Sequence, residues 1–151
     1  MASLLASVLC WVVPAATATL LPGFRSPSGN IRCLFVPGVR PLGGGPAPTS
    51  LRCDIARAGY AKTLQARCMR PDGSGVDWHG FELGTRRQGA VTCSGGILYN
   101  PGTQHPRYVT LPYGKTWRHG GYACWSRRTG VTCRNVAGHG LFVAREAWRV
   151  W

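Results

Sequence analysis

Acidic residues are scarce in this chain. Five Asp and Glu face 18 Lys and Arg, a formal net charge of +13. Paired-carboxylate chemistry therefore has one place to live, the stretch carrying Asp72, Asp77 and Glu82 with His79 among them. Lysine is nearly absent too, since 16 of the 18 cations are Arg. A GC-rich coding bias would give the same ratio, so the ratio argues nothing about function. Beyond the N-terminus no stretch approaches the roughly 18–20 apolar residues of a membrane-spanning helix. No eight-residue window is a basic run, and no specific nucleic-acid motif appears. Zinc ligation by His119, Cys124, Cys133 and His139 would lack a CxxC knuckle, so no metal is expected. The glycine-rich segment 37–50 has no Lys-Ser/Thr after it, and its prolines lack N–H donors. It is not a phosphate-binding loop, and no cofactor is expected.

Glycine (21) and proline (11) are plentiful, which favours turns over long helices. Residues 4–13 form an apolar run closed by Pro14 and followed by Ala16-Thr17-Ala18, a small-x-small cleavage pattern. No Lys or Arg precedes the run, but the length and the break indicate a secretory signal peptide over 1–18. The remaining 19–151 fits a single secreted domain, in the extracellular space or cell envelope. Cys10 falls in the leader, leaving an even set of six cysteines, which in an exported chain implies disulfides. The six allow 15 pairings. Sequential pairing is expected: Cys33–Cys53, Cys68–Cys93 and Cys124–Cys133.

The Cys124–Cys133 stretch carries the strongest local signal. Tyr122 and Cys124 fall on one face of a strand, and Val131 and Cys133 on one face of another. Gly130 supplies the conformational freedom of a tight connection. A turn closed around Arg128-Thr129 sets Cys124 directly opposite Cys133, within reach of a bridge. Residues 26–33 echo 126–133: a serine, polar residues, a glycine, a β-branched residue and a cysteine. This suggests a pseudo-repeat.

Elsewhere period-two patterns mark strands at Ile31–Val36, Leu51–Ile55, Ala90–Cys93, Tyr108–Leu111 and Leu141–Val143, with an irregular strand over Val76–Leu83. Residues 56–67, interrupted by Gly59, offer at most a short helical turn. Residues 97–99 are a further apolar triplet, and 144–151 predict a turn at Arg145-Glu146 and a short edge strand. The expected fold is all-β, a small disulfide-stapled sandwich or barrel of short antiparallel strands with little helix.

Candidate chemistry is thin. Ser94 and Ser74 sit in weak echoes of serine-protease motifs, but 133 residues are too few for that double barrel. Asp77, His79 and Glu82 could form a small hydrolase centre. His139 between two glycines could contact a ligand or simply close a turn. Trp125 beside Arg127 and Arg128 gives an aromatic–cation mix that could stack rings and hold anions.

Several motifs together bear a resemblance: Phe24-x-Ser26-Pro27-Ser28-Gly29-Asn30-Ile31-x-Cys33, Arg52-Cys53-Asp54-Ile55, Leu111-Pro112-Tyr113-Gly114, the run from Cys124 through Gly138-His139-Gly140, and Ala144-Arg145-Glu146. This resembles a family of small secreted proteins, common in actinobacteria, catalogued as a domain of unknown function. The resemblance implies export, one domain and paired cysteines, and brings no catalytic residue. The leading expectation is a monomeric, non-catalytic cationic module for an anionic cell-wall or envelope polymer or an acidic secreted protein. Its binding residues would be Arg127, Arg128, His139 and Trp125. The alternatives are an inhibitor presenting the Arg127-Arg128 tip to a secreted hydrolase, and the small hydrolase itself.

Overall fold

The computed structural model describes residues 18–38, 48–94, 102 and 104–151. The expected leader, most of the 37–50 loop and the 97–99 triplet lie outside them. The chain folds as two sheets, an all-β architecture with one short helix. The first sheet uses β1 (Thr19–Arg25), β2 (Ile31–Val36), β3 (Ser50–Ile55), β4 (Trp78–Gly84), β5 (Gly89–Cys93) and β6 (Gln104–Thr110), in the order β5-β4-β3-β2-β1-β6. The second uses β7 (Thr116–His119), β8 (Tyr122–Arg127), β9 (Gly130–Arg134), β10 (Gly140–Val143) and β11 (Trp148–Val150), in the order β11-β10-β9-β8-β7. No helix among the described residues is long and apolar enough to cross a membrane.

The sheets form a sandwich because each offers one apolar face. Phe24, Cys33, Cys53 and Phe81 lie side by side across four strands of the first. Cys124, Cys133 and Leu141 lie side by side in the second. All seven are fully buried in one cluster. The three expected cysteine pairs are bonded, with Cα separations of 4.1 Å (Cys33–Cys53), 5.4 Å (Cys68–Cys93) and 4.0 Å (Cys124–Cys133). Two of them meet at the centre. The sulfurs of Cys33, Cys53 and Cys133 lie within 4.8 Å of one another, so a bridge from each sheet packs against the other.

The hairpin register is the expected one, with Cys124 opposite Cys133 and Arg127 opposite Gly130. The pseudo-repeat extends into pairing. Phe24 faces Cys33 as Cys124 faces Cys133, each exactly one hundred residues earlier in the chain than its counterpart. The two copies differ in where the second cysteine goes: Cys133 bonds within its hairpin, whereas Cys33 bonds to the next strand.

Three features depart from the sequence expectation. First, not every pairing is antiparallel. Residues Thr19–Arg25 form a strand that composition did not mark, and it runs parallel to β6 along its whole length. Second, strict alternation fails in β4. Three steps from Trp78 to Phe81 oppose two from Cys93 to Val91, which is a β-bulge. Gly80 sits in it at φ +83°, and the Trp78 indole N–H donates to the Gly80 carbonyl at 2.9 Å. Trp78 and Phe81 therefore both turn to the core, although simple alternation puts them on opposite faces. Third, residues 61–68 form an eight-residue helix, α1 (Ala61–Cys68), rather than a single turn. It starts after Gly59 rather than being broken by it. Leu64 and Cys68, one turn apart, face the core, and the Cys68–Cys93 bond ties the helix end to β5. The chain end is the predicted turn and edge strand, β11.

Candidate functional site: an arginine pocket at the hairpin tip

The two pseudo-repeat turns lie together at one end of the sandwich. The turn at 26–30, the tip of the β8–β9 hairpin, Tyr113 and the segments at Arg57 and Ala144-Arg145 line a cavity of about 260 Å³. Four guanidinium-bearing residues line it: Arg57, Arg127, Arg128 and Arg145. No carboxylate does. Glu146, next to Arg145 in sequence, pairs with it at 3.2 Å, with both side chains about three-quarters exposed. An exposed pair of this kind holds little energy, so Arg145 stays available to a ligand.

Local bonding explains how such distant segments meet. The Ser26 hydroxyl accepts from the Ile31 N–H at 3.1 Å, closing the 26–30 turn. The Asn30 amide then clasps the backbone of Arg57 in both directions. Its Nδ2 donates to the Arg57 carbonyl at 3.0 Å, and its Oδ1 accepts from the Arg57 N–H at 2.9 Å. The Gly59 N–H donates to the Arg145 carbonyl at 2.8 Å, and the Tyr60 hydroxyl to the Ala144 carbonyl at 2.9 Å. On the other side the Gly114 N–H donates to the Ser126 carbonyl at 2.7 Å. That seats Tyr113 under Arg128, whose guanidinium lies 5.3 Å from the ring centroid. Arg128 is thus steadied by a cation–π contact that leaves its N–H edges free for an anion.

The Tyr60 clamp gives a pH prediction. Burial, and then the nearby Glu146 charge, push the Tyr60 hydroxyl from its ordinary 10 up to about 12. The fold holds this proton more tightly than the unfolded chain does. The associated stability is complete below pH 10 and is lost as pH rises through about 12. Thermal unfolding followed from pH 9 to 12 should show a falling midpoint, and Tyr60→Phe should flatten part of that fall. Tyr122, which burial also raises, contributes to the remainder. An unchanged slope in Tyr60→Phe would rule the clamp out.

The other residues singled out in the sequence fall elsewhere. Trp125 faces outward from β8, half-buried, and lines a second cavity at the far end of the same strand. His139 sits in the turn between β9 and β10, also away from the tip. Its N–H donates to Asn135 Oδ1 at 3.1 Å and its carbonyl accepts from the Asn135 N–H at 2.9 Å, the turn-closing arrangement. The Asp77, His79 and Glu82 set is dispersed. Asp77 accepts from the Gln65 amide at 3.2 Å, and Glu82 pairs with Arg52 at 2.8 Å across β3 and β4. His79 lines a small pocket with Asp54 instead. Burial raises the Asp54 carboxyl, opposed by the charges of Arg32, His79 and Arg52. The only metal-like cluster among the described residues is Cys33, Cys53 and Cys133, and all three sulfurs are already in disulfides. The sequence reading missed Arg57, Arg145 and Tyr113. Each lies in a motif or beside one, but nothing in its neighbours signals that the motifs converge.

No curated protein and no solved structure matches the chain. The model of one family, DUF6636, matches residues 3–150, nearly the full length. The chain therefore belongs to DUF6636, a family of unknown function.

Proposed function

We propose that this protein is a secreted, non-catalytic binding module that holds an anionic partner, an envelope polymer or an acidic protein, in the tip pocket. The observation that carries the proposal is the set of four arginines around one concave site with no carboxylate in its lining. Guanidinium forks match carboxylate, sulfate and phosphate oxygens in pairs of hydrogen bonds. Their scaffold is a hairpin clipped by its own disulfide, so little ordering is needed on binding. The net charge of +13 adds long-range attraction to any polyanion. Three disulfides and the absence of a membrane-spanning helix among the described residues are compatible with export.

The alternatives have less behind them. An inhibitory tip needs Arg127 and Arg128 to project, yet Arg128 folds back over Tyr113. A hydrolase needs a joined set, yet Asp77 and Glu82 each have another partner. The test is retention on a heparin resin at low salt, with elution by a salt gradient. Arg127→Ala/Arg128→Ala should elute at lower salt and bind at least about tenfold more weakly. Passage of the unaltered protein through the resin at low salt would refute the proposal.

A further inference from the structure

We infer that the tip pocket is one end of an extended track along β8, and that the track holds a linear acidic polysaccharide. The inference rests on the anion-binding reading and names the ligand class. Along β8, Tyr122, Cys124 and Ser126 point inward and are buried. Ala123, Trp125 and Arg127 therefore share the outer face. Arg127 lines the tip pocket. Four residues away, Ala123 pairs with Arg118 on β7 and Arg134 on β9. Those two arginines and Trp125 line the second cavity, of about 570 Å³.

Two arginine clusters thus stand about 14 Å apart along one strand, from Arg127 to Ala123. The only side chain between them on that face of β8 is Trp125. Neither cavity has a carboxylate in its lining. Arg134 lies over the Trp151 ring, 5.9 Å from its centroid, which steadies it while leaving N–H groups for a ligand. A lone anion fills one cluster only. A chain that engages both must carry repeated negative charge and lay something flat and partly apolar across Trp125. The C–H face of a uronic acid ring meets both needs. A nucleic-acid strand is disfavoured because it gains its affinity from successive bases on successive aromatics; the rings at the two ends, Tyr113 and Trp151, each have an arginine over them, and Trp125 alone stands between.

The test measures binding of the full chain to size-fractionated polygalacturonate oligomers, short and long relative to the span. Affinity should step up by about tenfold once the oligomer reaches from one cluster to the other. Trp125→Ala should remove the step, and so should Arg118→Ala/Arg134→Ala, whose arginines are exposed and whose loss leaves the core intact. Circular dichroism confirms folding of both. Affinity that grows with length no faster than with charge would overturn the track. So would tighter binding of a single-stranded oligonucleotide of equal charge. If that happens while heparin retention persists, the tip pocket stands and the track alone falls. Loss of all binding at low salt would remove both.

Discussion

Reduction of the disulfides should unfold this domain at neutral pH without any other denaturant. The three bridges close loops of 21, 26 and 10 residues. On the chain-entropy account each contributes about 3 kcal/mol, roughly 9 together, against a whole-domain stability of about 5–15 kcal/mol. Position sharpens the effect. Cys33, Cys53, Cys124 and Cys133 are each fully buried, so the two central bonds are also the packing between the sheets. Once one of them opens, its thiol faces the other bond across the sandwich, within 4.8 Å for Cys133 and the Cys33–Cys53 pair. Exchange then competes with re-forming of the original bond. The expected result is loss of the cooperative urea transition in reductant, and a fall of about 3 kcal/mol for Cys124→Ala/Cys133→Ala measured under oxidising conditions. Coincident urea midpoints with and without reductant, after mass spectrometry confirms free thiols, would show that the sandwich stands without its bridges.

Gly80→Ala should destabilise the fold by about 3 kcal/mol or more. Two costs add. The residue sits at φ +83°, a left-handed conformation that L side chains rarely adopt. A Cβ there would also run into the Cys53 carbonyl oxygen on the neighbouring strand. Relief requires undoing the bulge, and the bulge is what turns Trp78 and Phe81 to the same side. Phe81 is fully buried, with its ring centroid 5.9 Å from Trp78, 6.3 Å from Tyr60 and 5.5 Å from Trp148. Gly73→Ala is the control. That residue has φ +79° but open space around it, so its substitution reports the dihedral cost alone, about 1 kcal/mol. Equal urea midpoints for the two variants would show that the Cys53 contact is soft.

The parts legible in the sequence were those in which neighbours in the chain are also neighbours in space. The register of Cys124 and Cys133 follows from counting outward from Arg128-Thr129, because a two-residue turn leaves one solution. The edge strand at 148–150 follows from Arg145-Glu146 for the same reason. What failed was non-local. β1 goes unmarked because its partner β6 lies 85 residues on, and no local pattern marks a parallel pairing. The bulge at Gly80 could be suspected from a glycine inside a strand, but its direction depends on β5. The candidate site was legible by half. Arg127 and Arg128 stood out at a tip, while Arg57, Arg145 and Tyr113 join them only through backbone bonds made by Asn30, Tyr60, Gly59 and Gly114.

The parallel pairing of β1 with β6 also sets the timetable of folding. The second sheet is a run of adjacent hairpins, each closing a short loop, and can assemble from local encounters. The first sheet cannot finish that way. β1 lies between β2 and β6, and one of its two edges waits for a strand that comes after all of β2–β5 and α1. Closing so long a loop is entropically slow, so the β1–β6 seam should be among the last contacts formed and carry low φ-values. Until then β1 leaves a row of backbone donors and acceptors open to another strand, which makes this seam the point where the half-folded chain is most exposed to aggregation.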